Sequence, residues 1–125
     1  MYASAGILIF GHDAILLETR QLILKKAGFQ VWIASEATKA VQILVTEPID
    51  LFILCQSLPL QECVSVLKTA HTLRPDMENL VLGVDALGDS AEKHDTFLTT
   101  FLDPGTLIAF IQNKISPQTV TSSLQ

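Results

Sequence analysis

No lysine- or arginine-rich tract runs through this sequence. Its eight basic residues are dispersed apart from the Lys25-Lys26 pair, and thirteen acidic residues leave a net charge of −5. Nucleic-acid binding draws on clustered cations that displace counterions from phosphates, so direct contact with DNA or RNA is not expected. Long apolar runs are also missing. Nothing approaches the roughly 20 residues that a membrane span requires. The opening Met1-Tyr2-Ala3-Ser4-Ala5-Gly6 has no basic segment, and the apolar run Ile7–Phe10 is too short for the core of a secretion signal. Cysteine is scarce: Cys55 and Cys63 have neither a CxxC nor a zinc-site spacing. These absences lead us to expect a cytoplasmic protein with free thiols.

Apolar residues are abundant. They make up 49% of the 125 residues against 17% charged, and the mean hydropathy is +0.41. Such a chain buries its surplus in a sheet covered on both faces or leaves part of it for a partner. The length suits one domain, expected over residues 1–116, with the polar stretch 117–125 as a tail suited to a linker.

Five short apolar runs alternate with helical patterns. Gly6–Phe10 reads as a buried strand. Asp13 then caps a helix over Ala14–Ala27, on which Leu16, Thr19, Ile23 and Ala27 share one face while Glu18, Gln21 and Lys25 face water. Lys25 and Lys26 suit the negative end of the helix dipole, and Gly28 supplies a left-handed stop. Gln30–Ala34 is a second strand. Ser35 is the expected cap of a helix from Glu36 to about Thr46, with Ala37, Ala40, Val41 and Leu44 inward and Pro48 ending it. Leu51–Leu54 shows no polar alternation, so both faces of that strand should be covered. A helix from about Gln61 to Leu73 carries Val64, Leu67 and His71 at helical spacing. Leu80–Val84 and Phe97–Leu102 read as the last two strands and Thr106–Ile115 as the last helix; residues 85–96 have poor periodicity.

Strands alternating with helices predict a parallel sheet with helices on both faces. Ligands of such sheets lie beyond the carboxyl ends of the strands. The positions to interrogate are therefore Gly11-His12-Asp13, Ser35, Cys55, Val84-Asp85 and Asp103.

Several segments, in this order, resemble response-regulator receiver domains of two-component signalling. ILIFGHDAILLETRQLILKKAGFQV resembles their opening. DLFILCQSLP resembles their third strand and the loop that ends in proline. LKTAHTLRPDMENLVLGV looks like the following helix and fourth strand, and FLDP like the end of the fifth. The resemblance covers about Ile7–Ile115. It implies a flavodoxin-like α/β/α fold with five parallel strands in the order 2-1-3-4-5, here with a shortened or irregular fourth helix.

The family's phosphotransfer uses two acidic residues and an acceptor aspartate around Mg²⁺, together with a hydroxyl and a lysine that bind the phosphoryl oxygens. Carried over by position, the acidic pair falls on Gly11 and His12, and the acceptor on Cys55, four residues before Pro59. The hydroxyl falls on Val84 and the lysine on Asp103, before Pro104. None of the five groups is present. The resemblance thus implies a degenerate pseudo-receiver: no enzyme, no cofactor and no metal, acting in phosphorelay-type signalling through a signalling partner or a second copy of itself. Leu87, Phe97, Leu98, Phe101 and Phe110 are the candidate partner surface.

Other chemistries use the same positions. Cys55 activated by His12 would make a reactive thiol, and a redox- or ligand-sensing role in the vestigial pocket is the alternative function. His12, Asp13, Cys55 and Asp103 together would suit a transition metal. A flavin phosphate would need a Ser/Thr/Gly-rich loop after the first strand, where this sequence has Gly11-His12-Asp13-Ala14. His71 and His94 read as ordinary helix and loop residues, and Cys63, after Glu62, as a packing residue.

Overall fold

The computed structural model describes residues 5–55, 58–83, 95–98 and 104–115, with backbone alone at several of these, Leu98 among them. Elements follow in the order β1 (Gly6–Phe10), α1 (Ala14–Lys26), β2 (Gln30–Ala34), α2 (Ala37–Thr46), β3 (Leu51–Leu54), α3 (Leu60–Leu73), β4 (Glu78–Leu82), β5 (Asp95–Leu98) and α4 (Pro104–Ile115). All strand pairs are parallel, and the sheet order is β2-β1-β3-β4-β5, as expected.

β1 and β3 occupy the middle of the sheet and are buried at every position. Successive side chains point to opposite faces, so the two strands feed two cores. Leu8, Phe10, Phe52 and Leu54 pack with Ala40, Ile43 and Leu44 of α2 and Val66, Leu67 and Ala70 of α3. Ile7, Ile9, Leu51 and Ile53 pack with Leu17 and Leu24 of α1 and Leu107 and Ile111 of α4. The absence of polar alternation in LFIL follows directly from this two-sided burial.

Boundaries moved where polar residues are buried. β4 begins at Glu78, two residues before the apolar run, because Glu78 and Asn79 pair with Leu51 and Phe52. It ends at Leu82, since Gly83 takes a φ of 92°, a conformation that L side chains resist. β5 begins at Asp95 opposite Asn79; residues 99–102, which the expected strand included, lie outside the described ones. The buried stripe of α1 is Leu17, Arg20 and Leu24, not Leu16, Thr19, Ile23 and Ala27. Thr19 is exposed, and Leu16, Ile23 and Ala27 are half-buried. Hydrophobic patterning misplaced the stripe because its middle position is an arginine. Ser35 does not cap α2: Glu36 holds the cap position and makes no side-chain bond there.

Other expectations held. The Asp13 carboxylate accepts from the Leu16 amide at 3.1 Å, and Gly28 closes α1 at a φ of 102°. Arg74, just after α3, donates to the carbonyls of Leu44 (2.8 Å), Glu47 (3.1 Å) and Ile49 (2.9 Å). It satisfies orphan carbonyls at the end of α2 and fixes the path into β3.

His71 is more than an ordinary helix residue. Its Nε2 lies 2.9 Å from Oδ2 of Asp95, whose side chain is 0% exposed. The Asn79 amide donates to the same carboxylate at 2.9 Å. This buried polar cluster joins α3, β4 and the short edge strand β5. Replacing Asp95 with alanine removes the acceptor shared by the His71 ring and the Asn79 amide, at a cost of about 1–3 kcal/mol. Urea denaturation of Asp95→Ala should therefore show a loss of that order; an unchanged midpoint would remove the cluster's structural importance.

Candidate functional site

The carboxyl ends of β1, β2 and β3 open onto one edge of the sheet. The ladder runs a residue past the strands there: the Gly11 amide donates to the Ala34 carbonyl (3.1 Å) and the Cys55 amide to the Phe10 carbonyl (2.9 Å). These bonds hold the first and third loops side by side. Gly11 is buried, His12 and Asp13 are exposed, and Cys55 is buried at 3% exposure.

Cys55 points to the α1/α4 side of the sheet. The Arg20 guanidinium donates to its Sγ at 3.1 Å. Arg20 is itself only 9% exposed, so a fixed cation stands against the position where the resemblance places a phosphoacceptor. Sequence reading missed this arginine because it lies mid-helix, outside every strand-end loop. Burial pushes the Cys55 thiol above its ordinary value, and the charge and hydrogen bond of Arg20 oppose that rise without cancelling it. The thiol is therefore kept protonated near neutral pH.

His12 turns the other way. Nδ1 lies 2.9 Å from the Ser35 carbonyl oxygen, and Nε2 lies 2.7 Å from Oε1 of Glu62 in the first turn of α3. Its ring meets Phe10 edge-on, with centroids 5.9 Å apart. The Glu62 hydrogen bond is the main cause of a raised His12 pKa, opposed in part by burial. His12 thus engages Ser35 and Glu62 while Cys55 takes its bond from Arg20, so the geometry assembles no Cys–His nucleophile pair.

His12, Asp13 and Cys55 likewise point to three different partners: Glu62 with Ser35, the Leu16 amide, and Arg20. Among the described residues no three His, Cys, Asp or Glu side chains converge on a metal-sized site. The guanidinium beside Cys55 also opposes any cation there. Asp13 caps the start of α1 and takes the Leu16 amide, where a flavin phosphate would seek amide hydrogens. Val84, Asp85 and Asp103 lie outside the described residues, as do His94, Leu87 and Phe101 of the other candidate groups.

Of the three remaining members of the candidate partner surface, the two with described side chains face opposite ways. Phe97 packs on the α2/α3 core and Phe110 on the α1/α4 core; only the backbone of Leu98 is described. Phe97 and Phe110 therefore do not form a single patch. The strongly exposed apolar residues include Ile15 (77%) and Leu22 (57%) on α1 and Leu60 at the start of α3. Ile15 and Leu22 are seven positions apart and share the outer face of their helix.

No family model matches the sequence, and no curated protein matches it. Solved structures do. A CheY-like response regulator receiver domain protein from Methanospirillum hungatei JF-1 superposes with a TM-score of 0.78 at 25% identity, over 95% of this chain and 99% of that one. The signal receiver domain of an HD domain-containing protein from Pseudomonas fluorescens Pf-5 gives 0.77 at 22%, over 94% and 99%. A response regulator from Burkholderia pseudomallei, solved with a phosphorylated aspartic acid, a calcium ion and citrate, gives 0.73 at 17%, over 97% and 74%. The fold is that of CheY-like receivers. Among the described residues no helix is long and apolar enough to cross a membrane.

Both thiols should react slowly in the folded protein. Burial, with Glu62 adding to it, pushes Cys63 from an ordinary 9.0 to about 11, which lowers its thiolate fraction at neutral pH about a hundredfold. Mass spectrometry during iodoacetamide treatment at pH 7 should show slow labelling of Cys55 and Cys63 that accelerates sharply in denaturant. Rapid labelling of folded Cys55 would contradict its burial.

Proposed function

We propose that this domain carries signals through protein contacts without being phosphorylated, as a non-enzymatic pseudo-receiver in a phosphorelay-type pathway. The observation that carries the reading is the charge at the carboxyl ends of β1 and β3. Where the resemblance calls for clustered carboxylates around a divalent cation, this chain has Gly11, an exposed His12 and a buried thiol facing the Arg20 guanidinium. A carboxylate nucleophile attacks a phosphoryl group only when positive charge neutralises the transferring oxygens. A neutral thiol held by an arginine supplies neither the nucleophile nor the ligands for the metal.

A signalling protein of the same pathway or a second copy of this chain is the partner in this reading, in the cytoplasm. The receiver fold supports a signalling role, and the exposed Ile15, Leu22 and Leu60 side chains supply apolar contact area. Net charge −5 with dispersed cations supports a protein partner over nucleic acid.

A second reading, a redox or ligand sensor built on Cys55, draws support from the Arg20–Sγ contact, since a nearby cation favours thiolate. The burial of Cys55 and its raised pKa weigh against that reading.

Incubation with Mg²⁺ and acetyl phosphate should leave the intact mass unchanged; a stoichiometric, acid-labile phosphoryl adduct would defeat the proposal. Sedimentation and affinity capture test the interaction half. A strict monomer at every concentration that captures no signalling protein would remove its support.

A further inference from the structure

The hydrogen bonds of His12 specify its charge. A backbone carbonyl oxygen accepts and cannot donate, and an ionised carboxylate is likewise an acceptor only. Nδ1 lies 2.9 Å from the Ser35 carbonyl and Nε2 lies 2.7 Å from Glu62. Satisfying both requires a hydrogen on each ring nitrogen, and only the imidazolium has two. Neutral imidazole would leave one nitrogen lone pair facing an oxygen lone pair at hydrogen-bond distance.

We propose that the His12 imidazolium is a proton-operated latch that ties the loop after β1 and the loop after β2 to the first turn of α3. With the proton in place, one ring spans three segments that are far apart in the chain. When the proton passes to water, the ring keeps a single N–H. The Ser35 carbonyl is fixed by the backbone, whereas the Glu62 side chain is 28% exposed and free to turn into solvent. The contact that opens is therefore the one to Glu62, and the start of α3 is released.

That end of α3 is suited to respond. Its cap position is Pro59, with no side-chain hydrogen bond to the first-turn amides, so the turn lacks the usual fastening. The His12–Glu62 bond ties this turn to the loop after β1. The exposed Leu60 lies in the same turn, so the latch controls the presentation of an apolar side chain beside the strand ends. Glu36, after β2, acts in the same direction and favours the imidazolium. Asp13 is the next residue in the chain, and its carboxylate is turned to the Leu16 amide. A histidine whose folded pKa lies above the ordinary 6.5 contributes stability that is complete below 6.5 and lost as pH rises through the raised value. The latch is closed in mild acid and opens toward alkaline pH. It does not depend on the partner proposed above, or on any partner.

An NMR titration of the full chain, with ¹⁵N-labelled imidazole nitrogens followed from about pH 5 to 9, tests it. His12 should titrate with a midpoint above 6.5, and its low-pH form should show both nitrogens protonated. The amide signals of Ser35 and of Leu60–Cys63 should move with that midpoint. Glu62→Gln, which keeps an acceptor oxygen but removes the charge, should lower the His12 midpoint. A wild-type midpoint at or below 6.5, α3 amides that ignore the titration, or a midpoint unchanged in Glu62→Gln would each overturn the latch. The wild-type titration alone decides the first two outcomes, whether or not the variant folds.

Discussion

Two-sided burial of β1 and β3 is the constraint on which the rest of this structure depends. Every side chain of the two strands is withdrawn from water, and alternate residues supply opposite cores. Two cores demand helices on both faces, and parallel strands demand crossovers long enough to hold those helices. The order β2-β1-β3-β4-β5 and the gathering of loops at one end of the sheet follow from that demand. The apolar surplus of the composition is spent mostly here.

The same arrangement sets the chemistry at the strand ends. Because β3 alternates strictly, Cys55 continues the α1/α4 side of the sheet and meets Arg20 from α1. His12, two residues beyond the end of β1, is exposed and reaches Ser35 and Glu62 instead. Two cationic groups thus stand near positions that the resemblance assigns to acidic side chains. The guanidinium is paired with a soft, neutral sulfur and is buried. The imidazolium is paired with carboxylate and carbonyl oxygens and is open to water. One is fixed by its surroundings, while the other exchanges its proton readily with solvent. This difference in exposure assigns a static role to Arg20 and a responsive one to His12.

Polar residues in buried positions explain most of the departures from the sequence reading. Arg20 occupies the middle of the buried stripe of α1, and Asn79, second in β4, and Asp95, first in β5, lie inside a hydrogen-bonded cluster with His71. Periodicity treats such residues as exposed, because a charged side chain is buried only when it finds a partner. Those partners come from other elements and have no signature in local spacing. Ser35 shows a related effect: its side chain suggests a cap, yet its carbonyl is the group in use, as an acceptor for His12.

The sequence by itself determined the class of fold, the order of the elements, the cap at Asp13 and the stop at Gly28. Each depends on residue type and spacing along the chain, and local chemistry makes these legible. Only the tertiary structure decided that an arginine from mid-helix lies against Cys55, that His12 bridges to Glu62 fifty residues away, and that Phe97 and Phe110 pack into separate cores. Those outcomes depend on which faces the folded sheet brings together, and that information belongs to the packing of distant segments.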